Sequence, residues 1–434
     1  MLNAKYVRDN LEAIKKSLDK RNSKFPLDEF LSLEEGNRRI EKELQELRTE
    51  RNKGSEQFAQ AKKAGSEVDK KLMARLAELK KRIEELEKKG PEDVKKLEYL
   101  MWNLPNIAHE SVPRGKDDSE NPVLRKSGII KKTKLEETHE EILLRLDMID
   151  IEKAAKVSGA RFFYLKRDLA LLEQSILRFS MDTIARKGFI PISPPFLLKK
   201  DYYSGIVPFA TFEDALYRVS SPREATERET QEKTGDDLFL ISTTEHPMIA
   251  LHADEVIPAG KLPIKYVGLS PAFRREAGAH GKDTKGIFRV HQFIQTEQVV
   301  FCKPEDSWKH FDEMIGNIEE IWKKLEIPYR VIEICSGDLA LRDAKSYDAE
   351  AWVPSQQKYR EVASCSNCTD WQSRRLGIRY EEGQERKYVH TLNATGVPTP
   401  RSLIPIIENN LNDDGTITVP EALVPYMGKR VIGK

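Results

Sequence analysis

Cysteine is scarce in this chain: Cys302, Cys335, Cys365 and Cys368 are the only thiols in 434 residues. Four are too few for a disulfide scaffold, so the chain must bury a core of its own, and it reads as a resident of a reducing compartment, the cytoplasm. Long apolar runs are also missing. None approaches the roughly 18 uncharged residues of a membrane span, and Met1 to Lys20 is charged and mixed where a secretory leader is apolar, so no membrane partner is expected. Nor is there an excess of one charge: 72 Lys plus Arg meet 71 Asp plus Glu, a formal +1, so any hold on a polyanion must be local. Neither G-x-G-x-x-G nor G-x-x-x-x-G-K-[ST] occurs, which argues against a dinucleotide or P-loop nucleotide site.

The length suggests two or three domains, and the composition divides accordingly. Between Glu34 and Asn103, 34 of 70 residues are charged, far above the 33% of the whole chain. Within that stretch Ile40, Leu44, Leu47, Arg51, Gly54, Phe58 and Ala61 step by fours and threes, as do Leu72, Leu76, Leu79, Ile83 and Leu86, with Leu97, Leu100 and Leu104 beyond them. That spacing lays one helix face against a partner. With Gly65 and Ser66 as the turn, an antiparallel hairpin follows, each arm about 50 Å long, its return arm broken or kinked at Gly90-Pro91. Such a hairpin is either a solvated spacer or a binding rod. Lys53 to Arg82 holds nine basic residues against four acids, and a positive end on a neutral chain suits a phosphate backbone. Lys62, Lys63, Lys70, Lys71 and Arg75 are the candidate contacts.

Pro105 to Pro122 reads as a linker, which sets domains at 1–104, 105–135 and 136–434. Beyond Ile142 the pattern is mixed. Phe163 to Arg186 predicts a long helix, and Tyr266–Leu269, Phe288–Gln292, Gln298–Cys302, Tyr329–Ile334 and Ala349–Val353 predict short strands, together an α+β arrangement with an antiparallel sheet flanked by helices. Three segments concentrate polar residues in apolar surroundings. One runs from Gly188 to Leu198. The second is Phe273-Arg274-Arg275-Glu276, a polar loop, then Ile287 to Phe293 and on to Glu297, expected as two antiparallel strands whose arginines clamp phosphate oxygens. The third is Asn393 to Arg401, leading into a helix over Ser402–Asn410.

These three segments resemble the signature motifs of class II aminoacyl-tRNA synthetases, and further strings point to the seryl-tRNA synthetase family. They are Thr243-Thr244-Glu245, Cys335-Ser336-Gly337-Asp338-Leu339, and Tyr359 to Cys368 followed by Gln372 and Arg374-Arg375. The resemblance covers nearly the whole chain, Asn103 to Ile107 included. It implies a ligase that activates L-serine with ATP and Mg²⁺ and transfers the seryl group to the 3′ end of tRNA(Ser), and of tRNA(Sec) where that tRNA exists, the coil gripping the long variable arm from across a homodimer.

By the same resemblance Arg274 holds the α-phosphate, with Arg275 beside it. Glu276 contacts adenine, Phe293 and Arg401 sandwich the ring, and Arg289 with Val290 lies over the phosphates. Glu361, Val362, Ala363 and Ser364 line the ATP site, Glu361 and Ser364 as Mg²⁺ ligands. Thr243, Thr244, Glu245, Glu297 and Thr395 read serine, and a site built around a hydroxyl rejects alanine by leaving polar groups unpaired. Pro400 departs from the family, whose third motif has glycine before its arginine. Cys365-x-x-Cys368 has a zinc-like spacing, but Cys302 and Cys335 form no second pair, and no zinc is expected. Two other functions remain, a ligase loading a carrier protein and a catalytically dead RNA binder; the first lacks a long arm and the second loses Arg274, Glu361 or Arg401.

Overall fold

The structure, a computed structural model, describes residues 4–63, 70–89, 91–130, 134–219, 237–276 and 286–434. Two compact units account for them, residues 4–14 with Lys24–Leu104 and Lys15–Ser23 with Pro105–Lys434. The turn expected at Gly65-Ser66 and most of the polar stretch between Arg218 and Asp237 lie outside the described residues.

The first unit is helical: α1 (Ala4–Asp9), the start of α2 (Leu11–Lys20), α3 (Leu27–Lys63), α4 (Lys70–Lys89) and α5 (Pro91–Asn103). The heptad positions Leu79, Ile83, Leu86, Leu97, Leu100 and Leu104 are buried. At Gly54 a Cβ would stand 3.0 Å from Leu76 Cδ2, so α3 and α4 approach closely there. Charge pairs flank the seam, Arg48 with Glu87 at 2.7 Å, Arg75 with Glu50 at 2.8 Å and Arg82 with Glu43 at 2.7 Å. From Glu43–Arg82 through Glu50–Arg75 to Gly54 against Leu72, positions rise on α3 as they fall on α4, the antiparallel order that the repeats predict. α4 and α5 are separate helices, with Pro91 opening the second, where its missing N–H costs nothing.

An eight-stranded sheet organises the second unit. In chain order its strands are β1 (Val123–Ser127), β2 (Ile190–Ile192), β3 (Ile264–Phe273), β4 (Gln292–Cys302), β5 (Tyr329–Glu333), β6 (Lys345–Val353), β7 (Lys358–Asn367) and β8 (His390–Thr399). In space they run β1-β5-β6-β7-β8-β4-β3-β2. Every neighbouring pair is antiparallel except β2 with β3. The helices that matter to the site are α6 (Arg167–Ala185), α7 (Glu245–Ala250), α8 (Ser307–Lys324) and α9 (Leu403–Asn409).

Alternation along β4 divides the sheet into two faces. The Thr296 hydroxyl meets Ser180 of α6 at 2.7 Å, while Gln298 bonds the Met314 carbonyl of α8 at 3.4 Å and Asn317 at 2.6 Å. Phe293, Gln295 and Glu297 therefore face the other way.

Two expectations need correction. Residues 286–291 form turns and bends, not a strand, and β4 begins only at Gln292; Ile287, Phe288 and Val290 are apolar because they enter the core. The stretch expected as a linker is structured as well. Asn106 is buried, Ala108 and Val112 pack with Ile332, Ile334 and Leu339, and Val123–Ser127 is the sheet's edge strand. Its Pro, Gly and Asp content marks irregular backbone, which can be packed as tightly as a helix.

Candidate active site

Four stretches of chain converge on the face of the sheet opposite α6 and α8. Arg274 follows β3, Phe293 and Gln295 come from β4, Glu361 to Ser364 from β7, and Thr395 and Pro398 to Arg401 from β8 and its end; with Glu276 and Phe288 to Val290 they line one cavity. Two irregularities in the ladders aim these side chains. Between Thr296 and Glu297 the register of β4 on β8 shifts by one residue, so that Glu297 stands opposite Thr395. Gly396 is the residue skipped, and a Cβ there would lie 2.5 Å from the Thr296 hydroxyl. A second shift, between Ala349 and Glu350, sets Glu361 beside Glu350 and omits Val362. Bulges of this kind re-aim side chains beside active sites.

The cavity is charged in a patterned way. Arg274 donates through Nε to the Ser242 carbonyl at 3.0 Å, and its guanidinium lies 5.0 Å from the centre of the Phe293 ring. Burial, and then the neighbouring Arg401, push its pKa below the usual arginine value. Arg401 pairs with Glu361 at 3.2 Å and lies 4.7 Å from the Phe288 ring, whose centre is also 4.0 Å from the Arg360 guanidinium. Arg289 pairs with Glu276 at 3.6 Å. Two repelling guanidinium groups, with carboxylates as temporary counterions, are poised for a polyanion.

Beside it, and sharing Arg274 and Glu276, is a larger space lined by Val207, Phe212, Ser242, Thr243, His246 and Arg342. Glu245 and Glu297 are buried here. The Gln295 amide joins Thr243 Oγ1 at 2.7 Å to Glu297 Oε2 at 2.9 Å, and the Thr395 hydroxyl also bonds Glu297. Arg342 and Gln372 each reach Glu245 Oε1 at 2.9 Å. Burial, and next the charge of Glu245, hold the Glu297 pKa well above the carboxylate range, and burial raises that of Glu245. Of the two buried carboxylates only Glu245 is ion-paired among the described residues, which leaves Glu297 suited to a cationic partner. Gly268 lets α7 sit close enough to carry Glu245 there, since a Cβ would stand 2.3 Å from Met248 Sδ.

Residues 1–108 match the seryl-tRNA synthetase N-terminal domain, and residues 220–410 the tRNA synthetase class II core domain (G, H, P, S and T). The serine–tRNA ligase of Thermococcus sibiricus is 44% identical, the match covering 100% of this chain and 97% of that one. The chain belongs to the seryl-tRNA synthetase family. Among solved structures, the Pyrococcus horikoshii seryl-tRNA synthetase complexed with ATP superimposes with a TM-score of 0.87 at 42% identity, covering 100% of this chain and 99% of that one. The cytoplasmic serine–tRNA ligase of Naegleria fowleri in complex with AMP gives 0.82 at 34%, covering 98% and 95%.

Against the residues that the seryl-tRNA synthetase resemblance implies, the geometry is specific. Arg274, Glu276, Arg289, Val290, Phe293, Glu361, Val362, Ala363, Ser364, Thr395 and Arg401 line the first cavity, and Thr243 the second. Four line neither cavity: Glu245 and Glu297 are buried behind the lining residues Thr243, Gln295 and Thr395, and Arg275 and Thr244 point elsewhere. Arg275 is exposed, and the Thr244 hydroxyl turns to Ser270 at 2.7 Å, bracing α7 against β3. Gln295, Phe288 and Arg342 escaped the sequence reading. Gln295 has a signal, because it sits two residues from both Phe293 and Glu297 on one strand face; Arg342 has none. Pro400 lines the cavity, preceded by a cis bond from Thr399. The Cys365 and Cys368 sulfurs bond different partners, the Phe311 carbonyl at 3.7 Å and Asp343 at 3.3 Å, and burial holds both thiols protonated.

Proposed function

We propose that the family's reaction, ATP-dependent attachment of L-serine to the 3′ end of tRNA(Ser), and of tRNA(Sec) where it exists, takes place with ATP in the first cavity and serine in the second. The observation carrying this reading is the convergence of Arg274, Arg401, Glu361, Ser364 and Thr395 from separate parts of the chain onto one cavity, with Glu297 and Glu245 buried beside it. Arg274 and Arg401 hold the triphosphate and offset the charge that moves onto pyrophosphate as the serine carboxylate attacks the α-phosphorus. Glu276 faces adenine and Arg289 the outer phosphates, each released from the other by the ligand. Glu297 and Glu245 take the serine ammonium and hydroxyl with Thr243 and Thr395.

One carboxylate and one hydroxyl on β7 fit Mg²⁺, a hard ion that keeps waters and substrate oxygens. Among the described residues no three His, Cys, Asp or Glu gather to hold a metal on their own. Glu361 and Ser364 would hold the ion, which would supply charge neutralisation at the phosphates.

The helical unit takes the tRNA, with Lys62, Lys63, Lys70 and Lys71 toward the phosphates of the long variable arm. Arg75 is better read as a stitch in the hairpin, since its guanidinium is held by Glu50 at 2.8 Å and by Glu78 at 2.9 Å. The enzyme works as a cytoplasmic homodimer. Ile190, Phe196 and Leu197, 55%, 43% and 38% exposed, offer an apolar patch for the partner, whereas Phe189 and Leu198 are buried. Serine-dependent exchange of labelled pyrophosphate into ATP tests the activation step without tRNA, and no exchange with serine would remove the reading.

A further inference from the structure

Arg342 lies 2.9 Å from Glu245 and lines the second cavity, yet Leu339–Asp343, the segment carrying it, belongs to no helix or strand. Irregular backbone has no ladder to satisfy its carbonyls, so their partners reveal what fixes it. All five carbonyls of the segment accept from two residues far away in sequence. Arg21 donates through Nη1 to Leu339 and to Ala340, each at 3.1 Å, and through Nη2 to Asp343. The Asn106 backbone N–H donates to Leu341 at 2.7 Å, and its side-chain amide to Arg342 at 2.8 Å. That amide also reaches the Cys368 carbonyl at 2.8 Å, tying the segment to the end of β7.

Both residues are themselves held. Arg21 is 7% and Asn106 3% exposed. Ser17, one turn before Arg21, accepts the Arg21 N–H at 3.0 Å and, through its hydroxyl, the Ala108 N–H at 2.9 Å. Arg21 spends both terminal nitrogens on the segment, its Nε alone having no partner among the described residues, and one planar fork can span three carbonyls where a lysine ammonium offers a point. Burial brings the Arg21 pKa down to about 10, so it stays charged at neutral pH.

We propose that Arg21 and Asn106 are positioning residues for amino-acid recognition, bracketing Leu339–Asp343 and so holding the Arg342 guanidinium against Glu245. The role rests on the reading of Glu245 as a serine ligand. Both residues lie in the stretch that matches the N-terminal domain of the family, so that part of the chain contributes to activation as well as to tRNA.

Pyrophosphate exchange in the full-length enzyme, with serine and ATP varied separately, tests the bracket in Arg21→Ala, Arg21→Lys, Asn106→Ala, Arg342→Ala and the pair Arg21→Ala/Arg342→Ala. Displacing a recognition group by an ångström costs on the order of tenfold or more. The serine KM should therefore rise about tenfold in Arg21→Ala and Asn106→Ala and less in Arg21→Lys, with the ATP KM within about twofold of wild type. The pair should be no worse than Arg342→Ala alone. Lys20→Ala, which removes bonds to the His109 and Glu110 carbonyls but none to the segment, should leave the serine KM unchanged. If Arg21→Ala does not fold, Arg21→Lys and Asn106→Ala decide. Normal serine kinetics in folded Arg21 and Asn106 variants, with Arg342→Ala impaired, would overturn the bracket and spare the site reading. An unimpaired Arg342→Ala would overturn both. Equal rises in the serine and ATP constants, or a Lys20→Ala defect matching that of Arg21→Ala, would mark general loosening and also overturn the bracket.

Discussion

The Glu297 carboxylate is buried next to Glu245, and both burial and that neighbour raise its pKa. The folded chain thus holds this proton more tightly than the unfolded chain, whose Glu titrates at roughly 4.3. Stability falls as pH rises from that value through the folded pKa, and the deficit persists above it. Glu297→Gln, free of substrates, should accordingly melt higher than wild type at neutral pH, with the gap closing in acid, as thermal scans across pH will show. Binding runs the other way. An ionised carboxylate attracts the serine ammonium, so the wild-type serine KM should rise on acidification above the ordinary Glu range, and Glu297→Ala or Thr395→Ala should damage serine use far more than ATP use. Comparable losses for both substrates would undo the division between the two cavities. For Arg274→Ala and Arg401→Ala the expected loss in kcat/KM is on the order of 10² or more, because transition-state charge goes unmatched; wild-type exchange rates in both would refute their roles.

Strand β8 shows what one backbone irregularity contributes. Gly396 lies where the ladder skips a residue, against the Thr296 hydroxyl, which itself accepts the Val397 N–H at 2.9 Å. Gly396→Ala should cost about 1–3 kcal/mol by overpacking and raise the serine KM by turning Thr395 from Glu297; an unchanged melting temperature and KM would mean that the strand re-forms around the methyl group. The helical arm is a separate element. None of the proposed catalytic residues lies between Asn37 and Leu100, and Arg21 and Asn106 fall outside those limits, so deleting that stretch should spare serine-dependent exchange and abolish transfer to tRNA. Counterion release makes phosphate contacts weaken as salt rises. Changing Lys62, Lys63, Lys70 and Lys71 together to Ala should flatten the salt dependence of the transfer KM, and an unaltered slope would return the hairpin to the status of a spacer.

Across the molecule as a whole, the exposed Ile190, Phe196 and Leu197 predict a dimer at micromolar concentration, and Ile190→Glu with Phe196→Glu should shift sedimentation toward a single chain. A wild-type species at the chain mass would contradict it. The amino-acid sequence alone determined the antiparallel helical arm, because a heptad repeat is local and periodic, and its family-like strings, such as Phe273–Glu276 and Tyr359–Ser364, pointed to most of the residues that line the first cavity. Its strand reading failed over residues 288–291, where apolar residues serve the core without joining a ladder, and its linker reading over Pro105–Pro122, where irregular composition hides close packing. Charge arithmetic within Lys53–Arg82 also overlooked Glu43 and Glu50, which neutralise Arg82 and Arg75 from the opposite helix. Only the tertiary structure joined Arg342 to Glu245, Gln295 to Thr243, and Arg21 to carbonyls 318 and 319 positions away. A hydrogen bond is decided by distance in space, and for an irregular segment neither period nor spacing in the sequence records which partner will be near.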